Sequence, residues 1–510
     1  MKHLAEKYHA GQFRKGKEKL PYIVHPQAVA ETLLAWGESS HSPAIQIAWG
    51  HDLLEDTGVS DAEILAVSSQ YVLDTIKLLT HREDMEKRRY LMVIAGSSNR
   101  DAFLVKMADR ICNAKDFRAL KGDLYAFQYL HEADCLHNAA DEFLPEEDTV
   151  VQNALDAWKD LDGALRRNAQ KDITRGCLLG GAAGDALGAP VEFMTKAQIL
   201  QKYGKNGVTD YVEFADGTGS ITDDTQMTLF TAEGILRAYV RYQEKGLCGP
   251  QTVVRFAYLR WLKTQGISVG SMPDFVNSGW LINEKCLYQW RAPGMTCINA
   301  LRESKTAKPA DNNSKGCGTV MRVAPIGLSL DPEKAYEFGC ECSAITHGHP
   351  TGITAGGAFA MLIAYLHAGK TLQESLDRTE KHLEQFADAA ETLAAIRKAR
   401  TAADITELGE GWVAEEALAI GIYCALQHPW DFKAGVLQAV NITGDSDSTG
   451  SITGNILGAI NGENAIPENW RSKLREYRIV SQIADDVHLL VENRPDGHVT
   501  SNWWDKYPGC

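Results

Sequence analysis

At 510 residues the chain is too long for one ordinary hydrophobic core, so two or three domains are expected. Hydrophobic residues make up 44% and charged residues 23%, the balance of a globular protein rather than a disordered or fibrous one. The 67 acidic side chains outnumber 52 basic ones, and the resulting formal charge of −15 argues against a broad nucleic-acid-binding surface. Small phosphorylated ligands stay open, since a bound cation reverses the local sign.

Met1, Lys2 and His3 lead straight into helix-forming sequence without an apolar leader, and no membrane-length apolar run follows. A cytoplasmic protein is expected. Eleven cysteines without paired CxxC spacing read as reduced thiols, not as a disulfide framework or zinc ribbon.

Residues 1–145 predict helices joined by short turns, with apolar residues at three- and four-residue intervals (Val29, Leu33, Leu34; Ile64, Leu65, Val72, Ile76, Leu79). From Leu144 to Thr174 the sequence is charged and poor in glycine and serine, which predicts a helical linker and a junction near residue 170. From Ile173 small residues crowd together, at Gly180, Gly181, Gly184, Gly188 and the alanines between them. The same style returns at residues 444–462. Such helices pack closely, so these two segments are expected against one another in the core. The tail, Arg494–Cys510, with Trp503 and Trp504, is expected as an irregular segment on the surface. The fold class is all-α.

Two constellations carry chemistry. HDLLED, residues 51–56, sits in a helical stretch where His51, Asp52, Glu55 and Asp56 would share one side. His25, between Pro21 and Pro26, and Asp109, in VKMADR, add a second imidazole and another carboxylate. Two imidazoles and two carboxylates suit a divalent transition metal such as manganese. Such an ion activates water at neutral pH, and Glu55 and Asp56 could orient that water or protonate a leaving oxygen.

The stretches YHAGQFRKGKEKLPYIVHPQAVA, HDLLEDT and VKMADRICN resemble the RelA/SpoT-type HD hydrolases, which remove the 3′-pyrophosphate of guanosine tetraphosphate. The resemblance implies an HD helical bundle over residues 1–165 with one Mn²⁺ on His25, His51, Asp52 and Asp109. It makes Glu55 and Asp56 the catalytic acidic pair. Arg14 and Lys15 would meet the base and phosphates, and Asn113 the ribose.

ITDDTQM, residues 221–227, and GDSDSTGS, residues 444–451, each place aspartates and hydroxyls just before a helix. Each alone is a reasonable helix cap. Together they offer hard oxygen ligands to magnesium or calcium, and like-charged aspartates brought together without cations would repel. With GGAAGDALGAPVEF and KGCGTVMRVAP, these motifs resemble the ADP-ribosyl-glycohydrolases. That family includes the enzyme reactivating ADP-ribosylated dinitrogenase reductase and the ADP-ribosylarginine hydrolases.

That resemblance implies an all-helical domain over residues 173–490, followed by a tail at 491–510, with two Mg²⁺ held by Thr222, Asp223, Asp224, Asp445, Asp447 and Ser448 or Thr449. Glu192 would gate the site or assist proton transfer. Ser314, Lys315, Gly316 and Gly318 would approach the diphosphate, and His347 would line the ribose pocket. The loop RAPGMT, residues 291–296, lacks the additional aspartate of the dinitrogenase reductase subgroup; Cys317 and His349 read as packing residues. The expected whole is a bifunctional hydrolase acting on an ADP-ribosylated target and on a nucleotide. The alternatives for the HD domain are another nucleotide, the ADP-ribose product, or a nucleotide-sensing regulatory role.

Overall fold

A computed structural model describes residues 1–15, 19–82, 84–145, 147–214, 217–268, 277–303, 309–493 and 501–509. Helices dominate, and the ladder pairing Glu213 with Thr218 and Phe214 with Gly217 is the only sheet among the described residues. No described helix is long and apolar enough to cross a membrane. The chain divides into two compact units, Met1–Ala169 and Gln170–Cys510. The dividing point falls within one helix, Thr149–Gly188, in the segment read as a helical linker, of which Glu146 lies outside the described residues.

In the first unit, helix Arg100–Lys121 packs against helices Val24–Ala35, Pro43–Gly50, Gln70–Leu79 and Asp123–His131. It starts where the Asn99 carboxamide accepts the Ala102 amide at 3.0 Å, and it stops at Gly122, whose φ is +90°. Its buried face (Leu104, Val105, Ala108, Ile111) meets Val29, Leu33, Ile47, Leu73 and Ile76 in the core. Leu34 and Leu65, expected inside, are exposed, because the helices carrying them bury narrower faces than the apolar count suggested.

In the second unit, helix Asp223–Lys245 is buried along most of its length and packs on helices Pro250–Thr264, Ala324–Ser329 and Tyr477–Asn493. Beside it runs the seam that positions the site. Gly176, Gly180, Gly184 and Gly188 recur every fourth residue and face helix Ser446–Asn461 in the opposite direction. A Cβ on Gly454 would lie 2.0 Å from the Gly180 carbonyl oxygen, one on Gly458 1.9 Å from that of Gly176, and one on Gly184 2.0 Å from that of Gly450. The two glycine-rich segments therefore touch backbone to backbone, as their shared style predicted. Gly454→Val, which drives three extra carbons into this seam, is expected to destabilise the unit by about 3 kcal/mol or more. Thermal unfolding checks this, and an unchanged melting temperature would contradict the seam.

The tail departs from expectation. Residues 494–500 and Cys510 lie outside the described residues, but Ser501–Lys506 forms a helix rather than an irregular segment, and Trp503 and Tyr507 are buried. Trp503 lies in that helix and Tyr507 just beyond its end, and the Tyr507 hydroxyl donates to Asp486 at 2.5 Å.

Two candidate metal centres

His25 stands in the first turn of helix Val24–Ala35, and His51 caps the C-terminus of helix Pro43–Gly50. The expected continuous helical face is broken here. Asp52 adopts φ −99° and ψ −3° before the short helix Leu53–Asp56 begins. His51 is thereby buried and Asp52 half-buried, while Glu55 and Asp56 stay exposed at the mouth.

Asp109 comes from helix Arg100–Lys121. Its Oδ1 lies 3.1 Å from His25 Nε2 and 3.9 Å from His51 Nε2, and Asp52 Oδ2 lies 3.1 Å from His51 Nε2. All four residues thus converge. His51 Nδ1 meets the Ala48 carbonyl oxygen at 2.8 Å, and its buried Nε2 faces the Asp52 and Asp109 carboxylates. The carbonyl on Nδ1 fixes the ring so that Nε2 points at the carboxylates, the usual orientation of a metal-ligating histidine. Burial pulls the His51 pKa down, but Asp52 and Asp109 outweigh it and raise it to about 9.

Two groups at this site, Tyr22 and Lys106, carried no sequence signal. The Tyr22 hydroxyl lies 2.7 Å from Asp52 and 2.6 Å from Asp56, and Lys106 pairs with Asp109 at 3.0 Å. Glu55 accepts the His81 amide at 2.9 Å. Arg14 donates to Asn113 at 2.8 Å, and Asn113 donates to Asp109 at 2.6 Å. A cavity of about 220 Å³ over Asp52, Asp56, Lys106, Asp109 and Arg110 adjoins one of about 730 Å³ lined by Arg14, Lys15, Val24 and Leu120.

In the second unit the seam ends at Asp185 and Glu192 on one side and Asp445 and Asp447 on the other. Glu192, Asp445 and Asp447 place carboxylate oxygens within 4.8 Å of one another. Thr222 caps helix Asp223–Lys245, accepting the Asp224 amide at 3.3 Å. Asp223 Oδ2 accepts the Gly294 amide at 3.1 Å. That amide belongs to the RAPGMT loop, which passes through Ala292 at φ +53°, a strained backbone that only its surroundings can hold. Ser448 donates its amide to Asp447 at 3.0 Å, whereas the Thr449 hydroxyl donates to main-chain carbonyls, that of Asp445 at 2.7 Å among them.

Asp185 went unremarked in the sequence. It is fully buried and accepts the Thr222 amide at 2.9 Å, the Thr225 amide at 3.1 Å and the Thr225 hydroxyl at 2.5 Å. It thereby pins the turn that presents Asp223 and Asp224. Burial and then the Asp447 charge push it up to about 7, against the Thr225 and Thr222 hydrogen bonds. Burial with Asp447, Asp445 and Asp223 raises Glu192 to about 10. Burial foremost, with neighbouring carboxylates, lifts Asp223, Asp224 and Asp445 well above the ordinary range.

Asp224 Oδ2 and Glu192 Oε2 are buried without hydrogen-bond partners. Six crowded acids with unsatisfied oxygens and an all-oxygen donor set fit hard divalent cations.

The loop Ser314–Gly318 lies beside this cluster. Lys315 is ion-paired with Glu391 at 2.6 Å and with Glu415. A Cβ on Gly316 or Gly318 would lie 3.4 Å or 3.1 Å from the His347 ring. His347 Nδ1 contacts the Thr346 hydroxyl at 2.8 Å, and burial followed by the Arg322 charge lowers its pKa to about 3. His349, read as a packing residue, caps helix Pro350–His367 by accepting the Thr351 amide at 3.1 Å.

Compared with known protein families, residues 166–497 match the ADP-ribosylglycohydrolase family. The chain belongs to that family. This ADP-ribosylglycohydrolase is similar to the ADP-ribosyl-[dinitrogen reductase] glycohydrolase of Rhodospirillum rubrum, at 27% identity over 63% of this chain and 96% of that protein. Mouse ADP-ribosylhydrolase ARH3 is 24% identical over 62% of this chain and 91% of its own length. The N-terminal region matches a different group. Guanosine-3′,5′-bis(diphosphate) 3′-pyrophosphohydrolase MESH1 of Xenopus tropicalis is 34% identical over 25% of this chain and 73% of that protein. The glycohydrolase is thus fused to a region of SpoT/MESH1 type.

Proposed function

We propose that the C-terminal domain, residues 173–490, hydrolyses the N- or O-glycosidic bond joining ADP-ribose to a modified target, and that the N-terminal domain, residues 1–165, hydrolyses a phosphate or pyrophosphate ester of a nucleotide such as guanosine tetraphosphate. The observation that carries the first activity is the meeting of Thr222–Asp224 with Asp445–Ser448 around oxygens of Asp224 and Glu192 that lack partners.

Thr222, Asp223, Asp224, Asp445, Asp447 and Ser448 would hold two Mg²⁺, with Ser448 favoured over Thr449 because the Thr449 hydroxyl is already spent on carbonyls. Two ions held there would supply Lewis-acid charge and activation of water. Glu192 moves a proton at the glycosidic atom. His347, kept neutral, faces the Gly316–Gly318 loop, whose backbone admits a diphosphate. Asp185 acts through Thr222 and Thr225 as a positioning residue.

In the N-terminal domain, His25, His51, Asp52 and Asp109 would hold one Mn²⁺, whose chemistry when bound is water activation. Asp56, within reach of Tyr22, and Glu55, anchored by the His81 amide, transfer protons at the mouth. The smaller cavity suits a phosphate or pyrophosphate group and the larger, with Arg14 and Lys15, a nucleoside. Asn113 contacts the ribose.

The test is release of ADP-ribose from arginine-, serine- and nucleic-acid-linked conjugates with Mg²⁺, beside phosphate or pyrophosphate release from a nucleotide panel with Mn²⁺. Turnover of one conjugate is expected. A protein that binds Mg²⁺ yet cleaves none of the conjugates overturns the first activity. Absence of turnover across the nucleotide panel overturns the second.

A further inference from the structure

The loop Ser314–Gly318 is laced to a second stretch of chain. Residues 315–317 run antiparallel to residues 412–414. The Lys315 carbonyl oxygen accepts the Ala414 amide at 2.8 Å, Gly316 bridges Val413, and the Cys317 amide donates to the Trp412 carbonyl oxygen at 3.2 Å. The Glu416 carboxylate accepts the Glu410 and Gly411 amides at 3.1 and 3.2 Å, which curls this strap. The Glu410 carbonyl oxygen in turn accepts the amide of Asp445, the N-cap of helix Ser446–Asn461, at 2.8 Å. One strap thus touches both the glycine loop and the acidic cluster.

The Lys315 side chain closes the same contact. It pairs with Glu415, which is 6% exposed in the first turn of helix Ala414–Gln427. It also pairs at 2.6 Å with Glu391, which accepts the Thr351 hydroxyl. Two carboxylates against one ammonium leave no surplus positive charge here for a phosphate. Glu415 Oε2 is buried without a hydrogen-bond partner, so the burial of that carboxylate leans on the Lys315 charge.

We propose that Lys315 and Glu415 form a tie that positions the diphosphate loop, and that Lys315 serves the reaction through this tie and not as a phosphate ligand. The inference rests on the reading of Ser314–Gly318 as the loop that meets the diphosphate and assigns that contact to its backbone. Glu415 is a positioning residue acting through Lys315. The two roles for Lys315 give opposite signs. Removing Glu415 would free a phosphate-binding lysine and tighten substrate binding. Removing it from a tie loosens the loop and weakens binding. The diphosphate does not react, so the loss falls on KM more than on kcat.

Amide hydrogen exchange in the full-length protein reads the tie without any substrate. Peptides covering residues 312–320 and 410–416 are expected to exchange about tenfold faster in Lys315→Met and in Glu415→Ala, while helix Asp223–Lys245 stays protected. On the conjugate that the protein cleaves with Mg²⁺, KM should rise about tenfold in both variants with kcat changed less than about twofold, and the double variant should be no worse than either. Lys315→Arg, which keeps a charged tie, should stay near wild type in both readouts. Glu415→Gln keeps the side-chain volume and replaces the alanine variant if thermal unfolding shows that one to be misfolded.

Unchanged exchange in the Lys315 and Glu415 variants, or a KM that falls when Glu415 is removed, overturns the proposal. Faster exchange in a protein that cleaves no conjugate keeps the tie and defeats the reading of the loop as a diphosphate site.

Discussion

Asp447→Ala is expected to lower ADP-ribose release by about a thousandfold or more. The Asp447 carboxylate accepts the Ser448 amide, and its charge weighs on Asp185, Glu192, Asp223, Asp224 and Asp445. It is the common neighbour through which the two halves of the cluster meet. Metal assistance supplies several kcal/mol of transition-state stabilisation, and about 4 kcal/mol corresponds to a thousandfold.

A second consequence has the opposite sign. Alanine relieves repulsion among crowded carboxylates, so the metal-free variant should unfold at or above the wild-type temperature while losing the stabilisation that Mg²⁺ confers. Unfolding curves with and without Mg²⁺, beside the release assay, check both effects. Retained activity, or an intact Mg²⁺ response, would count against Asp447 as a ligand.

Asp109→Asn should abolish Mn²⁺ binding and lower nucleotide hydrolysis by a similar factor. The carboxylate stands against His25 and Lys106 and accepts from Asn113, while burial would otherwise raise its pKa; Lys106 and the imidazoles hold it well below the usual range. The amide keeps the volume but surrenders the charge. Lys106 then loses its carboxylate partner, and a destabilisation of up to about 3–5 kcal/mol accompanies the catalytic loss. Mn²⁺ binding followed by electron paramagnetic resonance, phosphate release and thermal unfolding measure the three effects. ADP-ribose release by the same preparation controls for global misfolding.

How much was legible depended on whether a residue carried its signal in company. The pairs Asp223–Asp224 and Asp445–Asp447 stood out because two acids at each of two helix starts exceed what capping needs. Asp185 did not, since a single acid in a run of glycine and alanine has no sequence neighbour to give it meaning; only burial and three donors do so. His51 and Asp52 were recognisable, but periodicity could not show that the helix stops at Gly50 and turns them inward, leaving Glu55 and Asp56 outside. Tyr22 and Lys106 act across 30 residues and one helical turn respectively, as members of very common residue classes. The contact between the two glycine-rich segments was readable in advance from their shared composition, because residues with small side chains let helices approach closely.

That seam bears on how such an enzyme can diversify. The cluster's two banks are spaced by main chain pressed on main chain, which has no rotamers to repack and almost no tolerance for enlargement. The surrounding loops carry exposed side chains such as Phe193 and Trp290, which are free to vary without disturbing that spacing. Choice of target can therefore drift from one descendant to the next while the bond-breaking apparatus stays in register.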